Sequence, residues 1–282
     1  MANVDLRPMT LGEVLDRTFT LYREHFPLFA GITALPYLVT LFFKFGLLLL
    51  EQGKIPATSP NLQPGMIGAV LGGALASLLL LYLMIGVAQS ATVAAVSDLY
   101  LGRTTSVREA YGQAKGIILT VFAVMILCYL ATVVGMIFLI IPGIYLACRL
   151  AVSVPVAIVE KDSAVRSMER SMELTKGFAG QMFLLLLLVG FVSWAVAMVL
   201  QAPVMFYAFT SMMAKHQVPL WVSIYSYLAE YASQVVVGPI GTISASLMYY
   251  NLRVRKEGFD IEHLMNSLAS VPRPLADSPA TQ

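Results

Sequence analysis

Residues 116–148 contain no Asp, Glu, Lys or Arg. That run exceeds the roughly 20 residues a helix needs to cross a hydrocarbon core about 30 Å thick. Similar blocks, free or nearly free of charge, cover 26–50, 65–97, 150–159, 177–214 and 216–252, the last interrupted only by Glu230. Apolar residues make up 58% of the chain and charged residues 12%. A soluble domain would carry roughly twice that charge. The blocks are too long and too uniform for alternating barrel strands, so the expected class is an all-α polytopic membrane protein.

Six spans are predicted, at about 27–50, 66–92, 117–140, 143–160, 179–206 and 220–250. Pro142-Gly143 is expected to make the tight turn between the third and fourth, because proline interrupts the hydrogen-bond ladder and glycine permits the reversal. Arg7, Arg17, Arg23, Arg103, Arg108, Lys115, Lys161, Arg166, Arg170, Lys176, Arg253, Arg255, Lys256 and Arg273 fall on one side, and Lys54 and Lys215 on the other. Cytoplasmic loops accumulate Lys and Arg, so both termini are expected in the cytoplasm. No apolar stretch follows a basic start within the first 25 residues, which carry Asp5, Glu13, Asp16 and Glu24. A cleavable signal peptide is therefore not expected.

Three segments on the basic side share a rhythm: TLGEVLDRTFTLYREHFPLF, TSVREAYGQAKGIILTVF and SAVRSMERSMELTKGFAGQMF. Each begins with a hydroxyl residue suited to capping a helix, runs through a charged amphipathic stretch and enters a span. The expected architecture is three transmembrane hairpins, each preceded by a cytoplasmic interfacial helix. Internal repeats are frequent in transporters, but hairpin-wise insertion gives the same rhythm and is the favoured reading. The block from Gly65 to about Tyr100 would form a helix about 54 Å long, projecting beyond the bilayer. Gly68, Gly72 and Ala76 offer a small-residue stripe for helix contact. The transmembrane domain is assigned to 1–269, and the proline-rich end, 270–282, is expected to be a disordered tail.

Chemistry is sparse. His25, His216 and His263 lie in different segments, Cys128 and Cys148 match no metal-site spacing, and no phosphate loop, GxSxG or HExxH occurs. A net charge of +2 without a basic-aromatic cluster gives no sign of a nucleic-acid partner. No cofactor is expected. Intramembrane polarity is the main functional lead, because it is costly to keep. Ser223, Tyr227, Glu230, Gln234, Gly238 and Gly241 make one stripe along the sixth span. It would serve either as a solute path or as glue between helices. Gly238-Pro239 should bend that span, and Pro36, Pro155 and Pro203 should kink three others. Arg149 stands alone in the fourth span at a depth close to that of Glu230, so an Arg149–Glu230 pair is expected. Arg166, Arg170 and Lys176 are the candidates for contact with anionic headgroups.

Three stretches carry a family resemblance: PGIYLACR (142–149), followed by Pro155 and Glu160; RSMELTKG (170–177); and YYNLRVRKEG (249–258). The chain resembles the bacterial glycerophosphoryl diester phosphodiesterase membrane-domain family over nearly its whole length. The resemblance implies a stand-alone domain of the bacterial inner membrane, concerned with lipid or envelope material. The catalytic barrel of the fused enzymes needs about 250 residues of its own, and this chain has no room for one, so no catalytic residue carries over. The leading expectation is a noncatalytic scaffold or accessory subunit that binds membrane lipids or a membrane-protein partner. A transporter or channel for a small or lipid-like solute is the alternative, and an intramembrane lipid-processing enzyme the third.

Overall fold

A computed structural model describes residues 8–54, 64–214 and 219–258. Ten helices occupy the described residues: α1 (Leu11–Glu24), α2 (Phe26–Lys54), α3 (Pro64–Tyr100), α4 (Val107–Ala114), α5 (Ile118–Phe138), α6 (Ile140–Leu150), α7 (Ser153–Val159), α8 (Ala164–Thr175), α9 (Ala179–Ala214) and α10 (Leu220–Glu257). Six segments are long and apolar enough to cross a membrane: 26–49, 71–100, 118–138, 140–159, 179–210 and 220–257. Consecutive long helices pack on one another, α2 on α3, α5 on α6 and α9 on α10, and α10 also packs on α2, α3 and α1. The proposed tail, 270–282, lies outside the described residues.

Burial divides the molecule into two zones. Toward one end, large apolar side chains point outward, among them Phe42, Leu49, Leu71, Leu78, Phe138, Phe191, Val199, Phe206 and Trp221. Hydrocarbon is the solvent that suits such a surface. At the other end α1, α4, α7, α8 and the inner ends of α3 and α10 close around a buried core. Val14, Phe29, Ala95, Val156, Leu174, Met182, Leu247 and Leu252 belong to it. Tyr100 stacks on Tyr250 there, with ring centroids 4.6 Å apart. Several hydroxyls buried at this end are satisfied within their own helices: Thr18 donates to the Val14 carbonyl, Ser90 to Gly86 and Ser244 to Ile240. Back-bonding of this kind lets a polar side chain enter a core without leaving a donor unpaired. α3 runs unbroken for 37 residues, and residues 88–100 are mostly buried within this core.

Two of the three hydroxyl caps form complete boxes. Thr10 accepts from the Glu13 amide while Glu13 receives the Thr10 amide, and Ser106 and Glu109 repeat the arrangement on α4. The third differs because Arg166, not Glu or Gln, stands three residues after Ser163, and no side-chain cap forms on α8. The glycine stripe also departs from expectation. Gly68 and Gly72 would meet nothing within 4 Å if they carried a Cβ, whereas Gly73 faces Leu47 of α2 at 3.7 Å.

The turn between the third and fourth spans is not at Pro142-Gly143. The chain breaks at Leu139, which is extended at φ −164° and ψ 142°. Pro142 lies in the first turn of α6, where its missing N–H costs nothing because that amide has no helical partner. Gly143 serves packing instead: a Cβ there would lie 2.3 Å from Met136 Cγ and 2.7 Å from the Met136 amide nitrogen. The fourth span, expected as one helix over 143–160, is two helices interrupted at Ala151-Val152. Pro155 sits in the first turn of α7 and brings no amide to the ladder across that interruption. Pro36, Pro203 and Pro239 are instead carried inside continuous helices.

Candidate functional site

Lys44 and Glu230 each lie ten residues from the same end of the bundle, Lys44 counted back from the end of α2 and Glu230 forward from the start of α10. That distance is about 15 Å by helical rise. Lys44 Nζ donates to Glu230 Oε1 at 2.7 Å and to Oε2 at 2.6 Å. The ammonium also lies 5.8 Å from the ring centroid of Tyr227, within range of a cation–π attraction. The pair lines a pocket with Tyr37, Thr40, Leu41, Leu81, Tyr227, Tyr231 and Gln234. Its cavity of about 10 Å³ has room for about one water molecule, far below the 300–1,000 Å³ usual for drug-sized ligands.

The sixth-span stripe is thereby divided. Tyr227, Glu230 and Gln234 line the pocket, and Ser223 is not among its lining residues. Gly238 turns toward Tyr37 and Thr33 of α2, and Gly241 toward Val189 of α9. Here small residues admit neighbouring helices.

Arg149 does not pair with Glu230. Its Nη1 donates to the Tyr145 hydroxyl at 2.8 Å, its Nη2 donates to the Met172 carbonyl of α8, and its guanidinium lies 5.6 Å from the Tyr145 ring centroid. Depth alone suggested the pairing, but the interruption after Leu150 turns this part of the chain toward α8. The same interruption exposes the Arg149 carbonyl, which accepts from Ser171 Oγ at 2.8 Å and Thr175 Oγ1 at 3.0 Å. Lys44, the other intraspan cation, was the carboxylate's partner, and its equal distance from the helix end was the available signal.

The three headgroup candidates take different positions. Arg166 is 73% exposed and meets Asp162 at 3.5 Å. Arg170 is drawn inward to Glu160 at 3.2 Å and also binds Glu257. Burial of its guanidinium works against the charge, but the two carboxylates outweigh that and raise its pKa. Tyr249 donates to Glu160 at 2.9 Å, and Arg253 reaches Glu257 at 3.1 Å. Arg170 is thus the centre of a structural clasp between α7, α8 and α10. Lys176, by contrast, is exposed and joins a different group.

That group gathers where the stretches 142–149, 170–177 and 249–258 converge. Arg149 donates to the Met172 carbonyl, and Lys256 donates to the adjacent Glu173 carbonyl at 2.6 Å. Arg255 and Lys256 lie 5.6 and 5.8 Å from the ring centroid of Phe178, at the start of α9. Arg149 and Lys176 are within electrostatic reach of the Lys256 ammonium. Cations at a helix C-terminus offset the negative end of its dipole, and here they also concentrate positive charge beside the apolar surface of α9. Cys128 and Cys148 are both free thiols. Among the described residues no group of three or more His, Cys, Asp and Glu could hold a metal ion. No family model matches the chain, and no curated protein or solved structure matches it.

Proposed function

We propose that this is a noncatalytic multi-pass protein of the bacterial inner membrane, a scaffold or accessory subunit that holds anionic lipid headgroups at its cytoplasmic face. The observation that carries this reading is the basic group of Arg149, Lys176, Arg255 and Lys256, the last two against Phe178, set beside the outward-facing Phe183 and Leu184 of α9. A phosphate could sit among the cations while its acyl chains lie along α9. The orientation adopted is three hairpins with α1, α4 and α8 at the cytoplasmic interface and both termini inside, supported by the distribution of Lys and Arg. The family resemblance supports the link to lipid, because its three stretches supply these cations.

The test is lipid retention in nanodiscs containing anionic and zwitterionic lipid, read by mass spectrometry. Each juxtamembrane cation contributes about 1 kcal/mol. Lys176→Gln with Lys256→Gln should therefore reduce the preference for anionic lipid by more than tenfold. An unchanged preference would overturn the reading.

The pocket supports a second reading, a transporter or channel for a small solute. In it the Lys44–Glu230 pair would part to admit the solute. Solute-dependent protection of a cysteine placed at Gln234 is its expected signature.

A further inference from the structure

We propose that α5 and α6 do not cross the membrane. They enter it from the face that carries α8 and turn back inside, so that their tip is an interaction surface for the acyl chains near the bilayer centre. The hairpin's depth is independent of headgroup binding and follows from its length. From Leu139 at the tip, α6 reaches Arg149 after ten residues, about 15 Å along the helix. There its backbone is already bonded to Ser171 and Thr175 of α8. The opposite face of α8 carries Arg166, 73% exposed, and Glu173, 71% exposed. Such a face does not lie in hydrocarbon, where each charge costs several kcal/mol.

The other arm agrees. Val121 and Met125 of α5 are buried with Val93 of α3 and Ile158 of α7. α5 has 21 residues in all, but it packs on α6 and shares its tip. The shorter arm, about 15 Å from Arg149 to Leu139, therefore sets how far the hairpin penetrates, about half of a hydrocarbon core about 30 Å thick.

The tip suits the place where it would stop. Ile137, Phe138, Leu139, Ile140 and Ile141 are each 67–80% exposed. No charged or hydrogen-bonding side chain occurs among them, whereas Glu51, Gln52 and Lys54 end α2, and Lys215, His216 and Gln217 fall between α9 and α10 in the sequence. Backbone groups at the reversal are partly satisfied in place: Leu139 donates to the Gly135 carbonyl at 3.1 Å and accepts from the Gly143 amide at 3.3 Å. Pro142 has no amide hydrogen to bury. Gly135 and Gly143 let the arms approach closely, which makes a slender wedge. An uncharged tip leaves the positive-inside count the same for a crossing and for a re-entrant hairpin, because both ends return to one side.

The experiment uses the full chain with Cys128→Ala and Cys148→Ala. Single cysteines replace Ile137 or Ile141, both lipid-facing and tolerant of change, and carry an environment-sensitive fluorophore in reconstituted vesicles. Nitroxide lipids labelled at carbon 12 should quench each probe at least twofold more than lipids labelled at carbon 5. In intact cells neither cysteine should react with an impermeant maleimide. Equal or stronger quenching from carbon 5 would overturn the proposal, as would labelling from the side opposite an Arg166→Cys marker.

Discussion

At the scale of the residue, the organising fact is that the intramembrane carboxylate and ammonium neutralise each other. Lys44 reaches both oxygens of Glu230 within 2.7 Å. Removing one partner strands the other in a poorly solvated place, whereas removing both leaves an apolar contact. Glu230→Leu and Lys44→Met alone should each lower stability in detergent by about 2 kcal/mol, allowing for their partial exposure. The double variant should recover most of that loss in a thermal-shift cycle, and additive losses would refute the coupling. Lys44 and Glu230 were visible in the sequence as intraspan charges. Their pairing was hidden because a linear reading gives depth and not which helices are neighbours, and Arg149 has a similar depth on a helix that turns elsewhere.

At the scale of the element, helices were legible wherever apolar length or a capping pattern declared them. The capping boxes at Thr10 and Ser106 follow from a Glu three residues on, and Arg166 in the same register after Ser163 explains the absent third box. Breaks were less legible. Proline suggested the reversal at Pro142, yet a helix accepts proline in its first turn, and the extended residue is Leu139, whose side chain carries no turn signal. What fixes the place of reversal is the contact across it, between Gly143 and Met136. Gly143→Ala should therefore force the arms apart and cost about 1–3 kcal/mol. Gly72→Ala, facing open space, should cost nothing or stabilise α3 slightly. Thermal unfolding of the two variants side by side distinguishes a packing role from a conformational one, and equal effects would refute the distinction.

At the scale of the whole molecule, the topology we propose puts α1, α4 and α8 on one side of the membrane, in keeping with the distribution of Lys and Arg. Cysteines introduced at Thr58 and Arg166 test this directly. An impermeant thiol reagent applied to intact cells should label Thr58→Cys and spare Arg166→Cys, and the reverse pattern would invert the topology. The two-zone organisation was only half legible. Apolar blocks announced the membrane zone, but the compact core beyond it draws on α1, α3, α4, α7, α8 and α10, whose meeting is a matter of tertiary contact and leaves no local periodicity. Its longest-range links join α10 to Met9: the Asn251 carboxamide accepts from the Met9 amide at 2.8 Å and donates to the Met9 carbonyl at 3.0 Å. Arg255 donates to the same carbonyl at 2.6 Å. Asn251 and Arg255 stand 242 and 246 positions from Met9. A ribosome adding about 5–20 residues per second needs on the order of tens of seconds to span that interval. Throughout that time α1 has been made but its partner has not, so the core closes last, after every span has been delivered to the bilayer. A nascent chain halted before α10 would hold α1 in waiting, a natural handle for quality control.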